Sequence, residues 1–382
     1  MHLNNFVLQN NIETPAYIYD LPNLRENLIK AKSAADRYGY HIHYAIKANN
    51  NNRILDTVQS FGFGADCVSG REIELAISSG FSNDEIFFAG VGKTDEEIVL
   101  ALNSHILAFN VESVHELQVI GEWAKLLNKN ARIALRINPD VDAQTHHYIT
   151  TGLQENKFGI FSHEISTALE IITSNEHLKF VGLHFHVGSQ ITDLTVFKNL
   201  CLKVNEWNRW FSERGFIPEI LNLGGGLGVD YNQPDSVPGK NFEEFFGIFH
   251  RFLEPLSNQK IHFELGRSLV AQCGSLLSRV LYIKNGLSKN FAILDAGMTE
   301  LIRPALYQAS HTIQNLNNSS GETYKYDIVG PICESSDCFG KDIFLQKLSR
   351  GNIIAVRTAG AYGEVMSSQY NLRKPLSIYF IE

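Results

Sequence analysis

Between residues 41 and 265 short apolar runs alternate with longer amphipathic stretches, and that rhythm restricts the chain to few architectures. Strands are expected at 41–47, 62–68, 86–91, 106–111, 132–137, 179–187, 219–223 and 261–265. Helical periodicity falls between them, at 23–38, 71–79, 94–102, 113–127, 164–173 and 195–214. Two helix starts carry plausible caps: Ser69 precedes Arg71 and Glu72, and Ser113 stands three residues before Glu116. Eight strand–helix repeats over this length are expected to close as a (β/α)8 barrel. Periodicity does not reveal strand order, so an open doubly wound sheet stays open as the alternative.

A barrel of this kind carries its chemistry at the C-terminal ends of the strands. The chemically useful residues here fall at those ends: Lys47, Asp66, Arg136, His186, Gly224 to Gly226 and Glu264. Past residue 270 the rhythm changes to strand-like runs at 275–283, 291–294, 324–329, 353–357 and 376–381, with little helical periodicity. This predicts a second, mainly β domain of roughly a hundred residues, to which residues 16–20 could add a strand. The expected division is 21–268 for the barrel, with 1–20 and 269–382 forming the β domain.

Composition narrows the function classes. Lys plus Arg number 33 against 41 Asp plus Glu, a formal charge of -8, which argues against a nucleic-acid surface. Five cysteines, an odd number without C-x-x-C spacing, suggest a reduced compartment. No basic start followed by an apolar core opens the chain, and no apolar run is long enough to cross a bilayer. A cytoplasmic enzyme with neither membrane nor nucleic-acid partner is the expectation.

Lys47 ends an apolar run and is followed by Asn49 to Asn52. A desolvated ε-amine sheds its proton readily and becomes a nucleophile toward aldehydes, as a Schiff base requires. Taken alone, a lysine at a strand end more often snorkels into solvent. Gly224-Gly225-Gly226-Leu227-Gly228 follows a strand and could bring backbone N–H groups to a phosphate, although a tight turn explains a lone glycine triplet as well. No G-x-x-x-x-G-K-[ST] loop is present, which disfavours nucleoside triphosphates. His184 and His186 share one side of a strand, but no third ligand pattern accompanies them, so no metal is expected. Glu264 closes the last barrel strand, where a carboxylate serves either an ion pair or a protonated ring nitrogen. Cys333, Glu334 and Asp337 gather in a turn-like loop, and Gly360-Ala361-Tyr362-Gly363 sets a tyrosine in flexible backbone.

Taken in order, these segments resemble the fold-type III family of pyridoxal-phosphate decarboxylases. The likeness runs through Tyr44-Ala45-Ile46-Lys47-Ala48-Asn49, Thr151-Gly152-Leu153 with Asn156-Lys157-Phe158-Gly159, and His184-Phe185-His186-Val187-Gly188-Ser189. It continues through the glycine triplet, Glu264-Leu265-Gly266-Arg267, Arg303-Pro304-Ala305-Leu306-Tyr307, Cys333-Glu334-Ser335, and Gly360-Ala361-Tyr362 running into Ser367-Ser368-Gln369-Tyr370-Asn371. The resemblance implies a barrel plus β domain, pyridoxal 5'-phosphate as cofactor, and a homodimer with shared active sites. Lys47 would hold the cofactor covalently and His186 would lie against its ring. Ser189, Gly226, Gly266, the backbone from Glu264 to Arg267, and Tyr362 would bind the rest of it. Glu264 would face the pyridine nitrogen, and Cys333 of the second subunit would return a proton. Arg267, Arg303, Tyr307, Glu334 and Tyr362 would hold the far end of the substrate. Leu265 stands where the family usually has proline, and Ser336 where glycine is common.

Charge matching then points to a substrate. A diamino diacid such as meso-2,6-diaminopimelate needs two cations and an anion at its far end, which Arg267, Arg303 and Glu334 supply. The expected reaction is its decarboxylation to L-lysine, the last step of lysine biosynthesis. Rival readings are decarboxylation of ornithine, arginine or carboxynorspermidine, a racemase on the same barrel, and an inactive regulator. Ornithine would leave Arg303 without a partner, and a regulator needs neither Lys47 nor Cys333.

Overall fold

The computed structural model describes residues 2–139, 141, 157–236, 241–317 and 321–382. Thr151, Gly152, Leu153 and Asn156 of the resemblance lie outside the described residues. The chain forms two compact units. One comprises Leu28–Gly228 and Gly239–Gly266, the other Met1–Asn27, Val229–Pro238 and Arg267–Glu382.

Strand β1 (Ala16–Asp20) belongs to the second of these units. The first is a closed barrel of β2 (His41–Ala45), β3 (Gly64–Cys67), β4 (Ile86–Phe88), β5 (Ala108–Val111), β6 (Ala131–Arg136), β7 (Leu178–His184), β8 (Ile220–Asn222) and β9 (Lys260–Leu265). Each strand pairs in parallel with the next, and β9 closes on β2 with His43 opposite Glu264. Closure excludes the open sheet. The first barrel strand stops at Ala45, two residues before Lys47, because the chain winds into a 3-10 turn at Ile46–Ala48.

Helices between the strands begin where polar caps satisfy their first N–H groups. The Ser69 and Ser113 side chains accept from the N–H groups of Glu72 and Glu116, and Thr94 with Glu97 forms a reciprocal capping box. The helix Phe242–Phe252 has no place among the expected helices, yet its Phe242, Phe245, Phe246 and Phe249 follow one helical face and are all buried. Each such ring contributes roughly 1.5–3 kcal/mol by leaving water.

In the second unit, β1 joins β10 (Gly274–Asn285), β11 (Asn290–Leu294), β12 (Ile313–Asn315), β13 (Thr323–Val329), β14 (Cys338–Gln346), β15 (Ile353–Val356) and β16 (Ser377–Ile381). The path runs β12-β15-β10-β11-β13-β14, with β1 antiparallel to β10 and parallel to β16. Its core includes Leu3, Ile12, Ala16, Ile18, Leu277, Leu316, Ala355 and Ile381. Strands β12 and β14 are additions to the sequence expectation. Both are half-polar, and β14 is an edge strand with exposed Lys341 and Asp342, so neither reads as an apolar run.

Candidate active site

Alternation along β9 aims Glu264 inward. Its neighbour Phe263 points out, with ring centroids 4.8, 5.0 and 5.6 Å from Phe249, Phe246 and Phe245. Inside the barrel, the Glu264 carboxylate accepts from Asn222 Nδ2 at 2.7 Å and Asn110 Nδ2 at 3.0 Å, both on Oε1. His184 Nε2 lies 3.2 Å from Oε2 and must carry the proton it donates there. Burial pushes this carboxyl up, but the charge and hydrogen bond of His184, with Lys47 and His186 behind them, leave it below the usual carboxylate range. It stays ionised at neutral pH.

Lys47 sits in the 3-10 turn that follows β2. Its Nζ lies 2.5 Å from Asp66 Oδ2, with the lysine side chain 38% exposed and the aspartate fully buried. Burial, then the nearby charge of Glu264, raises Asp66, and Lys47 opposes both. The barrel therefore holds two buried carboxyls pushed in opposite directions, an arrangement suited to one fixed anion and one proton acceptor.

The glycine run forms a close-packed cradle. A Cβ on Gly225 would sit 1.9 Å from the backbone oxygen of Glu264, and one on Gly224 (φ +65°) would sit 2.3 Å from that of Phe185. Only glycine fits there. The Gly225 N–H donates to His186 Nδ1 at 3.3 Å, two residues beyond the end of β7. Desolvation, and then the Arg136 charge, push His186 down to about 3, so its ring is neutral. Ser189 is half-buried in the loop that follows, and Gly266 packs against Ala45 and Ala48.

The second unit gathers a set of cations and aromatic rings. Arg303 is 4% exposed and, among the described residues, no carboxylate lies within ion-pairing distance of it. Burial lowers its pKa. Its Nη1 lies 3.0 Å from His311 Nε2, its Cζ lies 4.8 Å from the Tyr231 ring, and its Nε has no hydrogen-bond partner among the described residues. Arg267 donates from Nη1 to the Tyr231 hydroxyl at 2.6 Å and lies 4.8 Å over the Tyr362 ring. Tyr307 ends the short helix that Arg303 begins.

Cys333 and Glu334 sit on an exposed loop between β13 and β14, where Tyr370 donates to Glu334 Oε1 at 3.1 Å. Buried Asp337 pins the loop, accepting from the N–H groups of Ile332 at 2.7 Å and Met298 at 2.6 Å. Ser336 sits outside the left-handed region, so serine replaces glycine there without strain. Leu265 completes β9 opposite Tyr44.

The barrel brings Lys47 and His186 close to Glu264, and the second unit sets Arg267 and Arg303 about Tyr231, while Asn110, Asn222, Tyr231 and His311 belong to no sequence motif. The only signal for the two asparagines was an amide inside an otherwise apolar run at a strand's end. Among the described residues, no cluster of His, Cys, Asp and Glu is placed to hold a metal ion, and no helix is long and apolar enough to cross a membrane.

Comparison with known proteins places this geometry. Residues 21–271 match the family described as pyridoxal-dependent decarboxylase, pyridoxal binding domain. A diaminopimelate decarboxylase of Bacteroides thetaiotaomicron is 51% identical over 364 residues, spanning 95% of this chain and 94% of that protein. One from Aquifex aeolicus is 41% identical over 372 residues, spanning 97% and 87%. The crystal structure of diaminopimelate decarboxylase from Helicobacter pylori complexed with L-lysine shares the fold at a TM-score of 0.92 and 39% identity, over 99% of this chain and 94% of that one. With the closed barrel, the Lys47–Asp66 pair and the Glu264 cage, these likenesses lead to one conclusion: the chain belongs to the pyridoxal-dependent decarboxylases, among the diaminopimelate decarboxylases.

Proposed function

We propose that this chain removes CO2 from meso-2,6-diaminopimelate to give L-lysine, acting as a cytoplasmic homodimer with pyridoxal 5'-phosphate bound in a barrel of residues 21–268. The observation that carries the substrate is Arg303. A cation that is 4% exposed with no carboxylate beside it among the described residues calls for an anion from outside the chain. A second carboxylate on the substrate supplies it, whereas ornithine and arginine offer a cation instead.

The barrel residues fit the cofactor. An ionised, buried Glu264 suits a protonated ring nitrogen, and a cradle closed to any Cβ lets backbone approach a phosphate. When bound, pyridoxal phosphate supplies an electron-withdrawing ring that takes up the electron pair left behind by CO2. Lys47 would hold the cofactor through Nζ, and Asp66 Oδ2, 2.5 Å away, is placed to accept the proton the amine must lose. His186, neutral, would lie along the ring without adding a charge that competes with Glu264. Ser189, Gly226, the Gly266–Arg267 backbone and Tyr362 would hold the phosphate end.

At the far end of the substrate, Arg303 and Arg267 would take the carboxylate with help from Tyr307 and Tyr362, and Glu334 of the second copy, next to Cys333 on the same loop, would take the ammonium. Cys333 is an exposed thiol on its own chain, which supports its serving a second copy, where Sγ–H returns a proton to the carbon that lost CO2. Steady-state CO2 release from meso-diaminopimelate, L-ornithine and L-arginine tests the reading. The diacid should be preferred by at least about thirtyfold in kcat/KM, the worth of roughly 2 kcal/mol from a desolvated charge pair. Equal turnover of ornithine would refute the substrate and leave the fold standing.

A further inference from the structure

Arg303 needs more than burial to serve as a carboxylate reader. Its guanidinium must be held at one angle, and its charge must remain available. A carboxylate partner would give the first and remove the second, because the substrate would then compete with an internal anion. The second unit solves this with neutral groups. His311 Nδ1 lies 2.9 Å from the backbone oxygen of Arg357, which can only accept, so Nδ1 carries the ring proton. Nε2 is then a lone pair, and Arg303 Nη1 donates to it at 3.0 Å. One neutral tautomer makes both bonds, while an imidazolium would set an N–H against the guanidinium. Burial, followed by the charge of Arg303 and that of Arg267, keeps His311 neutral by pushing it down to about 3.

Tyr231 supplies the rest of the frame. Its ring lies under Arg303 at 4.8 Å and meets the His311 ring edge-on at 4.9 Å and 75°. Its hydroxyl accepts from Arg267 at 2.6 Å, so one side chain braces both arginines. Its backbone oxygen accepts from Thr312 Oγ1 at 2.8 Å, tying the Tyr231 loop to the residue after His311.

We propose that Tyr231 and His311 are positioning residues that aim the Arg303 guanidinium, its charge uncancelled, at the far carboxylate of a dicarboxylic substrate, with Tyr231 bracing Arg267 beside it. The proposal rests on the reading that Arg303 binds that carboxylate, and it adds what makes the arginine selective. The discriminating pair is His311→Gln and His311→Glu, which have the same length and an acceptor oxygen each but differ by one charge.

The test uses cofactor-loaded enzyme, with KM and kcat measured for meso-diaminopimelate and L-ornithine. Gln should hold the KM for the diacid within about threefold of wild type, since an amide oxygen replaces the lone pair. Glu should raise that KM at least about thirtyfold and narrow the preference over ornithine at least about tenfold, as loss of an available charge at a desolvated pair demands. A merely structural role would make Gln and Glu alike in both readouts, and that result overturns the proposal. If Glu does not fold, as judged by melting and cofactor absorbance, Tyr231→Phe decides. It keeps the ring and removes the bond to Arg267, so KM should rise about five- to tenfold with kcat within about threefold, and an unmoved KM overturns the proposal. Arg303→Ala separates the two layers. If it retains the diacid preference, the substrate reading fails. If it abolishes that preference while Gln and Glu match, only the positioning role fails.

Discussion

Glu264→Gln separates the chemistry of the site from its stability. The native carboxylate accepts three hydrogen bonds, at 2.7, 3.0 and 3.2 Å. A glutamine can keep its oxygen toward Asn110 and Asn222, which places its NH2 against His184 Nε2. That nitrogen must then give up its hydrogen, and His184 Nδ1, buried with no hydrogen-bond partner among the described residues, can carry it. One charge-assisted bond is therefore weakened rather than three lost, costing about 1.5–3 kcal/mol and a few degrees in Tm. The acid side of the stability curve should change too. Glu264 has its folded pKa depressed, so its contribution is present above the unfolded value of about 4.3 and disappears as pH falls through the folded value; the variant should lack that loss. Catalysis should suffer far more, because nothing then keeps the ring nitrogen protonated. We expect kcat to fall about 10²- to 10³-fold, the range seen when one preorganised electrostatic group is removed. Thermal melts and CO2 release on cofactor-loaded protein measure both. A kcat within threefold of wild type, with cofactor bound, would refute the role of Glu264.

Lys47→Ala should retain the fold and lose turnover, and borohydride reduction of wild-type enzyme followed by peptide mapping should find the cofactor on Lys47; a label on another lysine sinks the assignment. Lys47→Ala and Cys333→Ala homodimers should each be nearly inactive, yet mixing them under subunit exchange should recover about a quarter of wild-type activity, since about half the dimers are mixed and each has one intact site. Absence of recovery, with exchange confirmed by mass spectrometry, rules out the shared site.

The barrel was legible because parallel strands buried on both faces read as continuous apolar runs, and their order follows from closure. Boundaries were less so: nothing in Ala45-Ile46-Lys47 announces that the chain leaves the sheet for a 3-10 turn. Strand β14 escaped notice because an edge strand may carry Lys341 and Asp342 without burying them. Within the site, Lys47, Glu264 and the glycines stand in recognisable strings. Asn110, Asn222, Tyr231 and His311 do not. Each is a single polar residue whose meaning arises only when distant segments converge, as when β5, β7 and β8 meet around Glu264.

Arg303 is buried, and on the proposed reading it binds the far carboxylate of the substrate. The most direct measurement is kcat/KM for meso-diaminopimelate and L-ornithine, side by side, on wild type and Arg303→Ala. Wild type should favour the diacid strongly, and the variant should lose at least about thirtyfold on the diacid while changing little on ornithine, collapsing the ratio. A ratio unchanged by the substitution would contradict the assignment of Arg303 as the group that reads the far carboxylate.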